Sequence, residues 1–209
     1  MGAPAKAWVA VGETPAIVLG RAQHALSPRT RLPVRRRASG GGAVLDGPWL
    51  LRALVRLPAG HPLARHGPAP LARWLGNVYL RWLEDGGVSG ARLHPGSVED
   101  HWACFGGRGP GEVLVRGRKL VGIAQTWHRS GITLTSATLL YAPPWRLLCD
   151  AFELPQAAAG LAARTIALDE CLARPADAAE CARTLHALLH DTLARTVLAA
   201  GQPAPVCAA

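Results

Sequence analysis

Three strand-like segments follow one another in the middle of the chain with only short turns between them. They are Glu112–Val115, Lys119–Thr126 and Ile132–Tyr141, separated by Arg116-Gly117 and by Arg129-Ser130-Gly131. Glycine readily adopts the backbone conformations that tight turns require. Turns this short can join antiparallel neighbours, whereas parallel strands need a crossover of about a dozen residues or more. The pattern therefore predicts an antiparallel meander.

Helical spacing is clearest before the meander. Apolar residues recur every three or four positions from Leu71 to Trp82, and Gly86-Gly87 follows them. This spacing predicts an amphipathic helix that packs its apolar side in the core and ends at the glycines. Three more helices are predicted after the meander, over Pro143–Phe152, Pro155–Ala163 and Ala176–Ala199.

The first third of the chain carries short strand signals. Trp8–Val11 and Ala16–Leu19 are predicted strands, and Trp49–Leu57 is an apolar run whose type the pattern does not decide. Mixed strands and helices with antiparallel hairpins and no regular alternation predict an α+β fold. We expect a single domain over residues 1–209, with a mixed or antiparallel sheet flanked by helices.

Composition limits the partners and the compartment. The chain has 209 residues, of which 49% are hydrophobic and 18% charged, as in globular proteins. Its net charge of +9 favours an anionic partner: nucleic acid, a membrane surface, an acidic protein or a phosphorylated small molecule. The sequence contains no stretch of about 18 apolar residues, so no membrane span is predicted, and no signal peptide is evident.

The cysteines and tryptophans also constrain the chain. Five cysteines without zinc-ligand spacing predict a reduced, cytoplasmic protein with no metal site. For each of the seven tryptophans, core packing is the favoured prediction, with a ligand pocket as the alternative.

A glycine-rich segment, Arg36-Arg37-Ala38-Ser39-Gly40-Gly41-Gly42-Ala43-Val44, follows a run of arginines. Three consecutive glycines cost backbone entropy and are useful where a ligand approaches the main chain closely. Two arginines leading into free backbone N–H groups make a plausible anion cradle. The alternative interpretation is a flexible linker after a solvated basic run.

Lysine is rare in this chain: Lys6 and Lys119 stand against twenty-one arginines. Lys119 begins the segment Lys119-Leu120-Val121-Gly122-Ile123-Ala124-Gln125, where small residues leave room for a ligand against a strand. A lysine ammonium is a compact point charge that can address a single oxygen in a narrow pocket. The alternative is an ordinary exposed lysine at a strand end.

Together these segments resemble the lipoate–protein ligase and octanoyltransferase superfamily, which shares its fold with biotin–protein ligases. The resemblance rests on Arg36 to Val44, on Gly117 to Gln125 about seventy residues later, and on Leu19-Gly20-Arg21-Ala22-Gln23. It implies that octanoyl or lipoyl is attached as an amide to a lysine of an acidic lipoyl carrier domain. The residues it places around the acyl group are Arg36, Arg37, Ser39, Gly40, Gly41, Gly42, Ala43, Gly122, Ile123, Ala124 and Gln125, with Lys119 as a catalytic residue.

Cys104, fifteen residues before the lysine, resembles the nucleophile of the cysteine-dependent octanoyltransferase branch. In that branch a thiolate takes octanoate from acyl carrier protein and passes it to the acceptor lysine, without ATP or another cofactor. A nearby cation such as Lys119 would favour the thiolate. Cys104 could instead be a buried structural cysteine. Cys149 is a rival nucleophile, although it lies in a predicted helix where core packing is favoured.

Several departures from the family pattern keep other functions open. The chain has only eighteen residues before the Leu19 segment, so the family's N-terminal helix is expected to be missing. No histidine follows the glycine-rich segment, and Gly111-Glu112 replaces the Asn-Asp pair common in ligases. The alternatives are an ATP- and Mg-dependent lipoate–protein ligase and a non-catalytic paralogue or accessory subunit; binding to nucleic acid is disfavoured.

Overall fold

The protein is described here by a computed structural model covering residues 4–201, with side chains described up to residue 196. Nine strands are assigned: β1 Lys6–Val11, β2 Ala16–Leu19, β3 Val34–Arg36, β4 Val44–Asp46, β5 Leu50–Pro58, β6 Ala91–Leu93, β7 Val113–Val115, β8 Arg118–His128 and β9 Gly131–Leu139. The four α-helices are α1 Pro68–Asp85, α2 Trp145–Ala151, α3 Ala157–Arg164 and α4 Ala178–Gly201.

Six strands form the larger sheet, in the order β1-β5-β9-β8-β7-β6, and each neighbouring pair is antiparallel. The predicted meander is therefore confirmed as β7, β8 and β9. The undetermined apolar run is β5, which lies between β1 and β9 and supplies alternating buried residues to one face of the sheet. The α+β prediction is confirmed.

A second sheet has the order β3-β2-β4 and was only partly predicted. Strand β3 lies in the arginine-rich run and pairs in parallel with β2, while β4 pairs with β2 in the antiparallel direction. All three residues of β3 are exposed. A strand without a buried face carries no hydrophobic alternation, so the sequence pattern could not indicate it.

Two apolar clusters stabilise the fold on different sides of the larger sheet. The first packs α1 and α4 against one face of that sheet, with Leu51, Val55, Leu75, Tyr79 and Leu185 buried in it. The second lies between the smaller sheet and α2, and its buried members include Ile17, Leu45, Phe105, Trp145 and Leu148. Helices thus cover one face of the larger sheet, and part of the opposite face is left for a cavity.

The tryptophans are distributed differently from the prediction. Trp82 and Trp145 are buried as expected. Trp8 is 48% exposed and Trp127 is 42% exposed, so the prediction of core packing is wrong for these two. None of the described helices combines the length and the apolar character needed to cross a membrane.

The Tyr79 phenol lies inside the first cluster, fully buried, and its oxygen is 2.8 Å from Ser136 Oγ. Burial raises the pKa of Tyr79 to about 12, an effect that the hydrogen bonds to Ser136 and Thr138 partly offset. The folded protein therefore holds the phenolic proton more tightly than the unfolded chain, whose tyrosine pKa is about 10. Stability from the neutral phenol is complete below about pH 10 and is lost as the pH rises through about 12.

We predict that the free energy of unfolding falls by about 2 kcal/mol between pH 10 and pH 12 because of Tyr79. Tyr79→Phe should lose about 1 kcal/mol at pH 7 with its hydrogen bond, and its stability should depend less on alkaline pH. Urea unfolding of both proteins at several pH values measures this. Parallel alkaline curves for the two proteins would contradict the assignment.

Candidate functional site

Two cavities meet at Cys104. One, which we call the sheet cavity, has a volume of about 540 Å³ and lies between the larger sheet and the segment Arg37–Ser39. The other, the loop cavity, has a volume of about 510 Å³ and lies between Gly40–Gly42, the start of α1 and the segment 98–110. Cys104, Ile123 and Ala124 line both. A thiol at this junction can be reached from two directions.

The floor of the sheet cavity is the face of the larger sheet that is turned away from α1 and α4. Strand register places its residues in two cross-strand rows. The first row is Gly122, Ala137, Arg52 and Ala10; the second is Ala124, Thr135, Leu54 and Trp8. Four of these eight positions are glycine or alanine, whose small side chains leave room for a ligand above the sheet.

Arg37 holds the glycine-rich loop in shape. Its guanidinium donates to the carbonyl oxygens of Gly40 at 2.8 Å, Gly42 at 2.7 Å and Val18 at 3.2 Å. Burial lowers the pKa of Arg37, and the negative charge of a Cys104 thiolate would oppose this effect. A β-carbon at Gly41 would lie 3.1 Å from Arg37 Nη2 and 4.0 Å from Cys104 Sγ, so the guanidinium and the thiol flank the same glycine.

Two glycines of this loop are required for different reasons. Gly41 has φ of +89°, a conformation in which a β-carbon is strained, and a β-carbon there would lie 4.0 Å from Cys104 Sγ. Gly42 packs so tightly that a β-carbon would lie 2.5 Å from the carbonyl oxygen of Trp102. The loop can thus lie directly against the segment that carries Cys104.

Cys104 begins a single 3-10 turn, Cys104–Gly106. Its backbone N–H donates to the carbonyl oxygen of Ala43 at 2.8 Å, which joins it to the end of the glycine-rich loop. The side chain is partly exposed. Cys149, the rival nucleophile, is fully buried in α2, and burial raises the pKa of its thiol. The prediction that Cys149 packs in the core is confirmed.

Lys119 is almost completely buried, with 2% of its surface exposed. Its ammonium lies 2.7 Å from Glu112 Oε2 and donates to the carbonyl oxygens of Cys104 at 2.9 Å and Gly107 at 3.0 Å. An ammonium has three N–H donors, and three protein oxygens surround it here. Lys119 therefore lies at the site, but its ammonium contacts protein oxygens and does not point into a cavity as a free cation.

Glu112 is the partner that the sequence analysis did not identify as a site residue. It is 4% exposed, and its carboxylate also accepts the backbone N–H groups of Gly109 at 2.8 Å and Ile123 at 3.1 Å. The carboxylate therefore connects the lysine, the loop after Cys104 and strand β8. The one available signal was its position, replacing the Asn-Asp pair of the ligases shortly before the lysine.

The other predicted ligand-binding residues divide into two groups. Those that line a cavity are Arg37, Ser39, Gly40, Gly41, Gly42, Gly122, Ile123, Ala124 and Gln125. Arg36 and Ala43 do not. The Arg36 guanidinium donates to the carbonyl oxygens of Gln23 and Leu26 on the outside of the loop, and Ala43 is buried in the second apolar cluster.

We predict that Lys119→Met destabilises the protein by about 3–5 kcal/mol, because it leaves the buried Glu112 carboxylate without its counter-charge. The double variant Lys119→Met, Glu112→Gln should be more stable than Lys119→Met, since no unpaired buried charge remains. Urea unfolding of the two single variants and the double variant gives the coupling energy. Additive effects would contradict the pairing.

Comparison with known proteins gives a match of fold without a match of sequence. Neither a protein-family model nor a curated protein sequence matches the chain. Among solved structures, lipoate-protein ligase A bound with ATP is similar with a TM-score of 0.67 and 15% identity, covering 95% of this chain and 83% of the other.

Two further solved structures show the same likeness. A bi-partite lipoate protein ligase from Thermoplasma acidophilum, reported with its E2 lipoyl domain, has a TM-score of 0.60 and 14% identity, with coverage of 95% and 81%. LipL1 of P. falciparum in complex with lipoate has a TM-score of 0.60 and 13% identity, with coverage of 96% and 52%. The fold implied by the sequence resemblance is confirmed: the chain has the fold of the lipoate–protein ligase catalytic domain.

Proposed function

We propose that this protein is an acyltransferase that moves an octanoyl or lipoyl group from acyl carrier protein, through a thioester on Cys104, to a lysine of a lipoyl carrier domain. The observation that carries the proposal is the position of Cys104 where the sheet cavity and the loop cavity meet. Cys149, Cys171 and Cys181 line neither cavity, and burial raises the pKa of each of these thiols.

In the first half-reaction, the Cys104 thiolate attacks the carbonyl carbon of the carrier thioester. The carrier's sulfur leaves as a thiolate and takes up a proton, and the acyl group is then bound to Cys104 as a thioester. Arg37 supports this step by its position, because its guanidinium holds the carbonyl oxygens of Gly40 and Gly42 on either side of Gly41, which faces Cys104 Sγ. The floor of the sheet cavity supports it because the row Ala124, Thr135, Leu54 and Trp8 is mostly apolar and can pack against the acyl chain.

In the second half-reaction, the neutral amine of the acceptor lysine attacks the same carbonyl carbon. An amide forms, the amine loses a proton, and the Cys104 thiol is restored. No ATP is consumed, because a thioester is already activated. The net charge of +9 supports an acidic acceptor domain. The solved T. acidophilum ligase, which shares the fold, is reported with an E2 lipoyl domain.

The glycine-rich loop supplies a candidate donor for the negative oxygen that develops in both steps. Arg37 draws the Gly40 and Gly42 carbonyls toward itself. In a trans peptide the N–H that follows a carbonyl points the opposite way, here away from Arg37. The N–H that follows the Gly42 carbonyl belongs to Ala43 and already donates to the carbonyl oxygen of Trp102 at 2.7 Å. The N–H that follows the Gly40 carbonyl belongs to Gly41, and we assign it to the acyl oxygen.

Lys119 has a positioning role in this scheme. Its ammonium binds the carbonyl oxygens of Cys104 and Gly107 and pairs with Glu112. Lys119 was predicted to be a catalytic residue, and its three contacts with protein oxygens support a positioning role. By holding the Cys104 turn, the lysine fixes the distance between the thiol and the glycine-rich loop.

The second candidate function is an ATP-dependent lipoate–protein ligase. The fold is shared with a lipoate-protein ligase bound with ATP, and the loop cavity beside Gly40–Gly42 offers a volume of about 510 Å³. Against this candidate, the three N–H donors of the Lys119 ammonium are taken by Glu112 and two carbonyl oxygens, which leaves none for an acyl-adenylate. Arg37 would remain as the cation beside the glycine-rich loop.

We predict that intact-protein mass spectrometry after incubation with octanoyl-acyl carrier protein shows one octanoyl adduct on the wild type, removed by hydroxylamine. Cys104→Ser should show no adduct, because its hydroxyl is a far weaker nucleophile. Cys181→Ser is the matched control, because Cys181 is also half-buried but lines neither cavity. An adduct that persists in Cys104→Ser would remove Cys104 as the nucleophile.

We predict no lipoate-dependent exchange of label between pyrophosphate and ATP, because the transferase forms no acyl-adenylate. The assay is run with Mg²⁺, lipoate and octanoate, with a known lipoate–protein ligase as the positive control. Exchange that depends on lipoate and survives in Cys104→Ser would establish the ligase function instead.

A further inference from the structure

Trp8 is a half-exposed indole that belongs to neither of the two apolar clusters of the described residues. It stands on β1, an edge strand of the larger sheet, with 48% of its surface exposed. Its side chain lines the sheet cavity together with Leu54, its cross-strand neighbour. Scattered exposed apolar residues are ordinary, but this one lies at one end of the cavity that begins at the thiol.

The two ends of the sheet cavity can be assigned from contacts. Ala124 lies on β8 and, like Cys104, lines both the sheet cavity and the loop cavity. The ammonium of Lys119, on the same strand, binds the carbonyl oxygen of Cys104. The β8 end of the floor is therefore the thiol end, and the β1 end, at Trp8, lies three strand intervals away.

These intervals give the floor a length. Neighbouring strands lie about 4.8 Å apart, so β8 to β5 spans roughly 10 Å and β8 to β1 roughly 14 Å. An extended polypeptide spans about 3.3–3.6 Å per residue, and each residue contributes three backbone bonds. An extended acyl chain therefore advances about 1.2 Å per bond. Eight carbons on the Cys104 sulfur therefore reach about 10 Å, over Leu54, and twelve carbons reach about 14 Å, which is the position of Trp8.

We infer that Trp8 closes the acyl end of the sheet cavity and limits the acyl group to about eight to ten carbons. This inference rests on the proposed acyl transfer through Cys104. An octanoyl chain would lie along the row Ala124, Thr135 and Leu54 and end before the indole. Longer chains would need the space that the indole fills, and part of their length would remain in water.

The test measures the rate of acyl-enzyme formation from acyl carrier protein loaded with butanoyl, octanoyl, decanoyl, dodecanoyl or tetradecanoyl groups. For the wild type, the rate should fall beyond decanoyl. Trp8→Ala should raise the dodecanoyl-to-octanoyl rate ratio at least tenfold, since each buried methylene is worth about a fourfold factor. Leu54→Trp should lower the octanoyl-to-butanoyl rate ratio at least tenfold, because it shortens the same row.

Trp127→Ala is the matched control. Trp127 has a similar exposure of 42% but lines the loop cavity, so its removal should keep the wild-type order of chain lengths whatever the absolute rate. Trp8→Ala and Leu54→Trp profiles that both coincide with the wild type would overturn the inference. So would a Trp8→Ala protein that is slowed only in transfer to the acceptor domain, which would make Trp8 a docking residue.

Equilibrium binding separates this inference from the proposed function. Octanoate and dodecanoate are titrated by calorimetry into Cys104→Ser and into Cys104→Ser combined with Trp8→Ala. A preference for octanoate that Trp8→Ala removes would support the length limit, whether or not an acyl-enzyme forms. If no acyl-enzyme forms, the proposed transfer through Cys104 is wrong but the length limit stands. Equal binding of both acids to both proteins would contradict the length limit itself.

Discussion

The buried ion pair between Lys119 and Glu112 is the interaction on which the arrangement of the site depends. The lysine holds the carbonyl oxygens of Cys104 and Gly107, and the carboxylate holds the backbone of Gly109 and Ile123. A buried charge is tolerated only when it is paired and hydrogen-bonded, and here both partners satisfy that condition. The pair thereby ties the turn that carries the thiol to the strand that floors the sheet cavity.

The two faces of the larger sheet differ in the size of their side chains and in what they contact. Helices α1 and α4 cover one face with large apolar side chains, which stabilises the fold. The other face carries small residues such as Gly122, Ala124 and Ala137, which contribute little to packing but leave a cavity. Because side chains alternate across a strand, one strand, β8, supplies both the core and the site. A ligand can bind there without disturbing the core.

Local signals predicted the parts of the structure that local physics determines. The meander followed from its turns and α1 from its apolar spacing, and a resemblance carried by short motifs indicated the glycine-rich loop, Lys119 and Cys104 as site residues. Contacts between residues that are distant in the sequence were not predictable from local signals. Glu112 was noted only as a departure, β3 shows no alternation, and the position of Trp8 at the cavity depends on the pairing of β1 with β5.

Whether Cys104 carries the acyl group from donor to acceptor can be measured by a chase of the isolated acyl-enzyme. Enzyme loaded with labelled octanoate on Cys104 is freed of donor and mixed with an acidic lipoyl domain, without ATP. The label should leave the cysteine and appear as an amide on the acceptor lysine at the same rate. Label that stays on the enzyme, while the acceptor is modified only when ATP and free acid are supplied, would show that Cys104 does not carry the acyl group.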